Sequence, residues 1–228
     1  MNDLELQALQ LSLSVAWRSV IFSLPFAIGM AWLLTQHFNG KLIVNTLVHL
    51  PLVLPPVVTG YVLLLLFGTH GTIGQWLLQH LDIRLAFTRN GAALATAVMS
   101  FPLMVRSIRL SLEGIDHSLL DAARTLGAGR TDRFITITLP LITPGIIAGL
   151  ITAFAASLGE FGAVITFAGN IPGETQTLAL ALYSVLQQPD GETLALHLVA
   201  ISMSLAVAGL LLAEWLTRLS RKHLIHAN

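Results

Sequence analysis

Ser157, Glu160 and His197 are the residues of this chain whose types could do chemistry within an apolar setting. Ser157 and His197, on successive apolar stretches, have the types of a nucleophile and its base. No oxyanion-hole signature accompanies them, and polar groups on neighbouring helices can meet without forming a dyad. Glu160 lies in Ser157-Leu-Gly-Glu-Phe-Gly-Ala163, where Gly159 and Gly162 permit close helix approach or a bend. A carboxylate in such a stretch is costly and faces a bundle interior or water. Its charge would repel an oxyanion. It therefore reads as a gate or conduction residue, or as a structural contact to Arg18 or to a helix N-terminus. His49 and His197 lack a second ligand at i+4 and read as polar contacts. The one Gly-Lys pair, Gly40-Lys41, lacks the upstream glycine and the hydroxyl of a phosphate-binding loop, so any ATPase belongs to another polypeptide. With no cysteine, disulfides, thiolate metal sites and thiol catalysis are excluded.

The elements that must position these residues are membrane spans. Hydrophobic residues make up 54% of the 228 and charged residues 11%, and acids and bases cancel at twelve each. That composition, with a mean hydropathy of +0.76, is far from that of a soluble domain, and the neutral balance offers no field to attract nucleic acid. Five all-α crossings are predicted: Val15 to Thr35, Leu42 to Gly68, Gly91 to Ile108, Pro140 to Ala168, and Thr193 to Ala213. The second has no Asp, Glu, Lys or Arg for 27 residues, and its Pro51, Pro55 and Pro56 predict a kinked or locally open helix. Thr175 to Gln188 is uncharged but only 14 residues long, which predicts an interfacial or re-entrant helix, with a sixth span as the alternative. Thr72 to Leu81 reads as a second short surface helix. Nothing in 228 residues suggests a second domain.

Basic residues set the orientation. Lys41, Arg106, Arg109, Arg124, Arg130, Arg133, Arg218, Arg221 and Lys222 fall in the connections on one side, against Arg84 and Arg89 on the other. This asymmetry predicts an N-terminus outside and a C-terminus in the cytoplasm. The first dozen residues hold two acids and no base, which argues against a cleaved signal peptide.

Residues 111–140 form the one large polar segment, and it lies on the predicted cytoplasmic side. Asp116 is placed to cap a helix running to Leu126, and Gly127 and Gly129 permit the left-handed conformation that ends it. Leu119, Leu120, Ala123 and Leu126 recur at helical spacing as an apolar stripe, suited to a partner groove or to the inner leaflet. Asp121-Ala122-Ala123, Gly127, nine residues, then Ile137, Leu139 and Pro140 resembles the Glu-Ala-Ala coupling loop of ABC-importer permeases without an insertion, with Asp in place of Glu. The resemblance implies a type I importer permease fold. It also implies that the helix sits in a cleft of an ATPase subunit, with Leu126 and the motif residues as the coupling contact.

The similarity extends over nearly the whole chain. Segments 49–68, 71–74, 99–116, 157–177 and 214–221 look like molybdate-transport permeases, and Pro55-Pro56 followed by Gly60-Tyr61 favours that branch over sulfate and tungstate permeases. The implied assembly is a dimer of this chain, two ATPase subunits that use ATP and Mg on the inner side of a bacterial inner membrane, and a periplasmic oxyanion-binding protein. No cofactor is expected on this chain. Thr59, Ser100 and Ser157 are candidate path hydroxyls because conduction needs weak binding, although each could instead bond its own helix. The turn-rich loop 169–177 is suited to docking the binding protein. An ion-coupled secondary transporter, the other class of reading, would show inverted repeats and more intramembrane charge.

Overall fold

A computed structural model describes residues 2–225, with side chains described except at 117, 210, 212–214 and 216–225. Among the described residues all regular structure is helical. The first helix, α1 (Asp3–Thr35), is longer than predicted, because a capping box at Asn2 and Glu5 starts it well before the apolar stretch. Small residues at Ala8, Ser12, Ala16, Ser19, Ser23, Ala27 and Ala31 form its buried face. Such a stripe lets backbones approach where lipid gives helices no hydrophobic reason to associate.

α1 packs along α5 (Arg89–Glu113), which starts at the N-cap Thr88. Arg18 meets Asn90 near the start of α5, while Ala27, Ala31 and Leu34 share a core with Met104, Val105 and Ile108 near its end. The two helices are therefore parallel, so the chain between them must cross back. It does so in two pieces, α2 (Lys41–Val53) and α3 (Pro56–Phe67), set at 116° to each other. The kinked or locally open crossing predicted for Leu42 to Gly68 is found as a fully broken one. Pro55 has no N–H and forces Leu54 into an extended conformation (φ −70°, ψ 144°), which breaks the helix outright where a kink was anticipated. The surface helix predicted at Thr72–Leu81 forms there as α4.

The fourth crossing also departs from prediction. After α6 (His117–Thr125), the chain re-enters a helix at α7 (Arg130–Arg133), passes through a π turn at Phe134–Thr138, and continues as α8 (Leu139–Leu158). The helix starts ten residues before Pro140, not after it. The wider π turn bonds the Leu139 N–H to Phe134 O just ahead of the proline, where an α-helix would need the N–H that Pro140 lacks. Gly145, Gly149, Ala153 and Ser157 give α8 its own small stripe against α5, and Ser107 Oγ donates to Gly145 O at 3.1 Å. The span does not run on to Ala168. It stops at Gly159 and resumes as the half-helix α9 (Gly162–Phe167), which packs beside α3.

The predicted helix between 175 and 188 is α10 (Leu178–Leu186). Leu178, Leu180, Ala181 and Val185 are buried on it, so one face is a core element and not a lipid-surface one. The last crossing, α11 (Glu192–Ile225), begins beside the N-terminal end of α1, where His197 meets Glu5. Counting the broken α2–α3 pair as one, the described residues hold five segments long and apolar enough to cross a membrane, and α1 begins at one end of the bundle while α11 leaves toward the other.

Candidate functional site

The segment predicted to couple to an ATPase projects from the end of the bundle where α5 stops. Asp116 Oδ1 accepts the Ser118 N–H at 2.9 Å and starts α6. The helix ends in a Schellman arrangement: the Gly127 N–H donates to Arg124 O at 3.1 Å and the Ala128 N–H to Ala123 O at 3.0 Å. Gly127 stands at φ +88°, a left-handed conformation that a side chain would strain. The spacing from Ala123 to Gly127 is thus the spacing from the last carbonyls of a helix to its left-handed stop. Gly129, also predicted as a left-handed position, is extended at φ −67° and is not used that way.

The predicted stripe divides. Leu120 and Ala123 are half-buried toward the chain's own α7, whose Arg133 Nη1 reaches Leu120 O at 3.5 Å. Leu119 and Leu126 are exposed, the latter by 88%, alongside Asp121, Ala122 and Gly127. Ile137 and Leu139 are half-buried, and Pro140 is exposed. One side of α6 therefore leans on its own chain, while Leu119, Asp121 and Leu126 are left exposed.

The candidates for the translocation path fall into two groups. Pro55, Pro56, Gly159 and Glu160 mark the two breaks, which lie side by side: a Cβ on Gly162 would stand 2.7 Å from Pro56 Cβ. Pro55, Pro56 and Gly159 are exposed, and Glu160 is partly so. Glu160 Oε1 accepts the Ala163 N–H at 2.8 Å, so the carboxylate caps the α9 N-terminus. Of its two anticipated partners, the helix end is the one found, and Arg18 bonds Asn90 Oδ1 at 2.8 Å instead.

Thr59, Ser100 and Ser157 form the second group and are buried between helices. Ser100 Oγ donates to Ala97 O at 3.4 Å, and Ser157 Oγ lies 3.4 Å from Ser19 Oγ. Thr59 Oγ1 has no hydrogen-bond partner. Ser157 and His197 are not brought together, because His197 Nδ1 sits 3.2 Å from Glu5 Oε1. The dyad reading is thereby removed. The sequence reading also missed Asn45, whose Oδ1 accepts from Arg109 Nη1 at 3.0 Å and ties α2 to α5. A lone amide in an otherwise apolar run was the available signal.

The chain matches the model of the binding-protein-dependent transport system inner membrane component over residues 23–222. It is 57% identical over 223 residues to the molybdenum transport system permease protein ModB of Escherichia coli K12, covering 97% of each chain. Identity to the protein of that name from Haemophilus influenzae is 51% over 226 residues, 99% of each. The sulfate transport system permease protein CysT of Escherichia coli is 37% identical over 208 residues, 90% of this chain and 75% of that one. Among solved structures, a bacterial alginate ABC transporter in complex with alginate pentasaccharide-bound periplasmic protein superposes with a TM-score of 0.76 at 18% identity, over 96% of this chain and 80% of that one. The MetNI methionine ABC transporter gives 0.71 at 16%, over 96% and 99%. By the match over residues 23–222 and by these identities, this chain belongs to the family of inner membrane components of binding-protein-dependent transport systems.

Proposed function

We propose that the chain is the permease subunit of an ATP-driven importer that carries molybdate from the periplasm to the cytoplasm. The observation that carries the reading is α6, whose outer side its own chain leaves uncovered, with Leu119, Asp121 and Leu126 exposed on the frame of the family's coupling loop. Such a helix is suited to a groove on a partner that moves, and the partner of stated chemistry is an ATPase that binds ATP and Mg. The assembly is two copies of this chain, two ATPase subunits on the α6 side, and an oxyanion-binding protein on the other. The asymmetry of basic residues favours α6 and the C-terminal end of α11 in the cytoplasm. Arg218, Arg221 and Lys222, which contribute to that asymmetry, lie outside the described side chains.

Molybdate is favoured over sulfate by the gap between 57% and 37% identity to the respective permeases. Tetrahedral dianions of similar size are hard to separate in a pore, so selection is assigned to the binding protein and the permease supplies weak, passing contacts. The paired breaks at Pro55-Pro56 and Gly159-Glu160 are the natural gate, since irregular backbone at membrane depth is tolerated where it lines a cavity. The test is uptake of labelled molybdate by the complete complex in proteoliposomes, with tungstate and sulfate as competitors. ATP-dependent uptake that excess sulfate does not suppress is the expected result. Uptake driven by an ion gradient without ATP would overturn the reading.

A further inference from the structure

At the end of the bundle opposite α6, a polar pocket of about 320 Å³ opens between α1, the start of α5 and the loop before α10. Arg18, Thr88, Arg89, Asn90, Gly173 and Glu174 line it. Both guanidiniums are held by neutral acceptors: Arg18 Nη1 donates to Asn90 Oδ1 at 2.8 Å and Arg89 Nη2 to Gly173 O at 3.2 Å. Among the described residues neither makes an ion pair. Each guanidinium carries five N–H groups, so both keep donors to spare. The N-terminus of the 25-residue α5 adds partial positive charge at the same place. Connections on this face hold only Arg84 and Arg89, so the pocket gathers much of the face's positive charge.

Its size and rim say which kind of anion it takes. The volume would hold about ten waters, too roomy to grip a single small oxyanion, and Glu174 on the wall opposes a free dianion about twice as strongly as the single charge of a carboxylate. A carboxylate brought in on an aliphatic stem suits a pocket that two guanidiniums with spare donors line, because such pairs form charge-assisted bonds. We infer that this pocket receives an acidic side chain of the binding protein, with Arg18 and Arg89 clasping its carboxylate. The inference rests on the proposed function for the identity of the partner and for the side on which it docks.

The test is docking of the molybdate-loaded binding protein to the permease–ATPase complex in nanodiscs at low and high salt. The double variant R18E/R89E should weaken docking about tenfold or more and flatten its salt dependence, while still co-purifying with the ATPase. Reversal of one acidic position on the binding protein should restore docking to the double variant and not to the unaltered permease. Unchanged affinity in the double variant would overturn the pocket's role. So would a loss seen only when anionic lipid is present, which would make the site one for lipid headgroups. Should the double variant fail to assemble, R89K and R89Q take its place: weakened docking by both supports the pocket, and unaltered affinity overturns it. An unaltered complex that neither docks the protein nor imports molybdate would overturn the functional reading and the pocket with it, which separates the two failures.

Discussion

Glu160 Oε1 accepts the backbone N–H of Ala163 at 2.8 Å, which makes the one carboxylate between Pro140 and Ala168 the cap of a half-helix. Capping needs an acceptor oxygen more than it needs charge. Glu160→Gln should therefore keep α9 and retain most of the transport, whereas Glu160→Ala should cost about 1 kcal/mol of stability. Thermal unfolding of the solubilised complex, read together with uptake, checks this. Equal loss of transport by both variants would mean that the charge itself acts in conduction.

Gly127 at φ +88° closes α6 through the bonds to Arg124 O and Ala123 O. Gly127→Val places a β-branched residue in the left-handed region, at a strain of about 1–2 kcal/mol or more, and should redirect the exposed Leu126. Molybdate uptake and co-purification of the ATPase should both fall while the amount of permease in the membrane is unchanged. Undiminished uptake would count against α6 as the coupling contact.

Gly60 lets α3 lie on α9: a Cβ there would stand 2.7 Å from Ala163 O, which is backbone and has little freedom to yield. Gly60→Ala should destabilise by about 1–3 kcal/mol through overpacking. Gly29, inside α1 with nothing within 4 Å of a Cβ, is the control. Gly29→Ala should be neutral or stabilising by up to about 1 kcal/mol. Paired melting curves decide, and an equal response at both positions would contradict the close α3–α9 packing.

Arg109 spans two partners, Glu113 Oε1 at 2.7 Å on its own helix and Asn45 Oδ1 at 3.0 Å on α2. The first is an exposed i,i+4 pair that contributes little. The second fixes the near end of a helix whose far end is already broken at Pro55. A double-mutant cycle with R109A and N45A should give a coupling of about 0.5–1.5 kcal/mol in stability. A coupling of zero would show that α2 is held by packing alone.

Much of this molecule was legible from residue order. Runs of apolar residues gave the helices, because a backbone in lipid must satisfy its own hydrogen bonds. Asp116 and Gly127 marked the ends of α6 through local capping chemistry. The breaks were only half legible. Pro55 announced a disturbance without its size, and Gly159 and Gly162 read equally as a bend or as close packing. The structure shows both: the chain breaks after Gly159, and Gly162 packs against Pro56. The stripe Gly145, Gly149, Ala153, Ser157 was present in the sequence, but nothing local says which helix it meets.

By itself the sequence determined that the chain is a membrane bundle, that the helix of its polar segment is capped at Asp116 and stopped at Gly127, and that no phosphate-binding loop motif is present. These depend on local rules of solvation, capping and spacing, which act within a few residues. Only the tertiary structure decided that Glu160 caps α9 and not Arg18, that Ser157 and His197 stay apart, and that Arg18 and Arg89 share a pocket. The first two turned on distant partners that were available and not met, and the third joins residues far apart in the chain; such partners are chosen by how small-residue faces let helices pack, a choice that no local stretch contains.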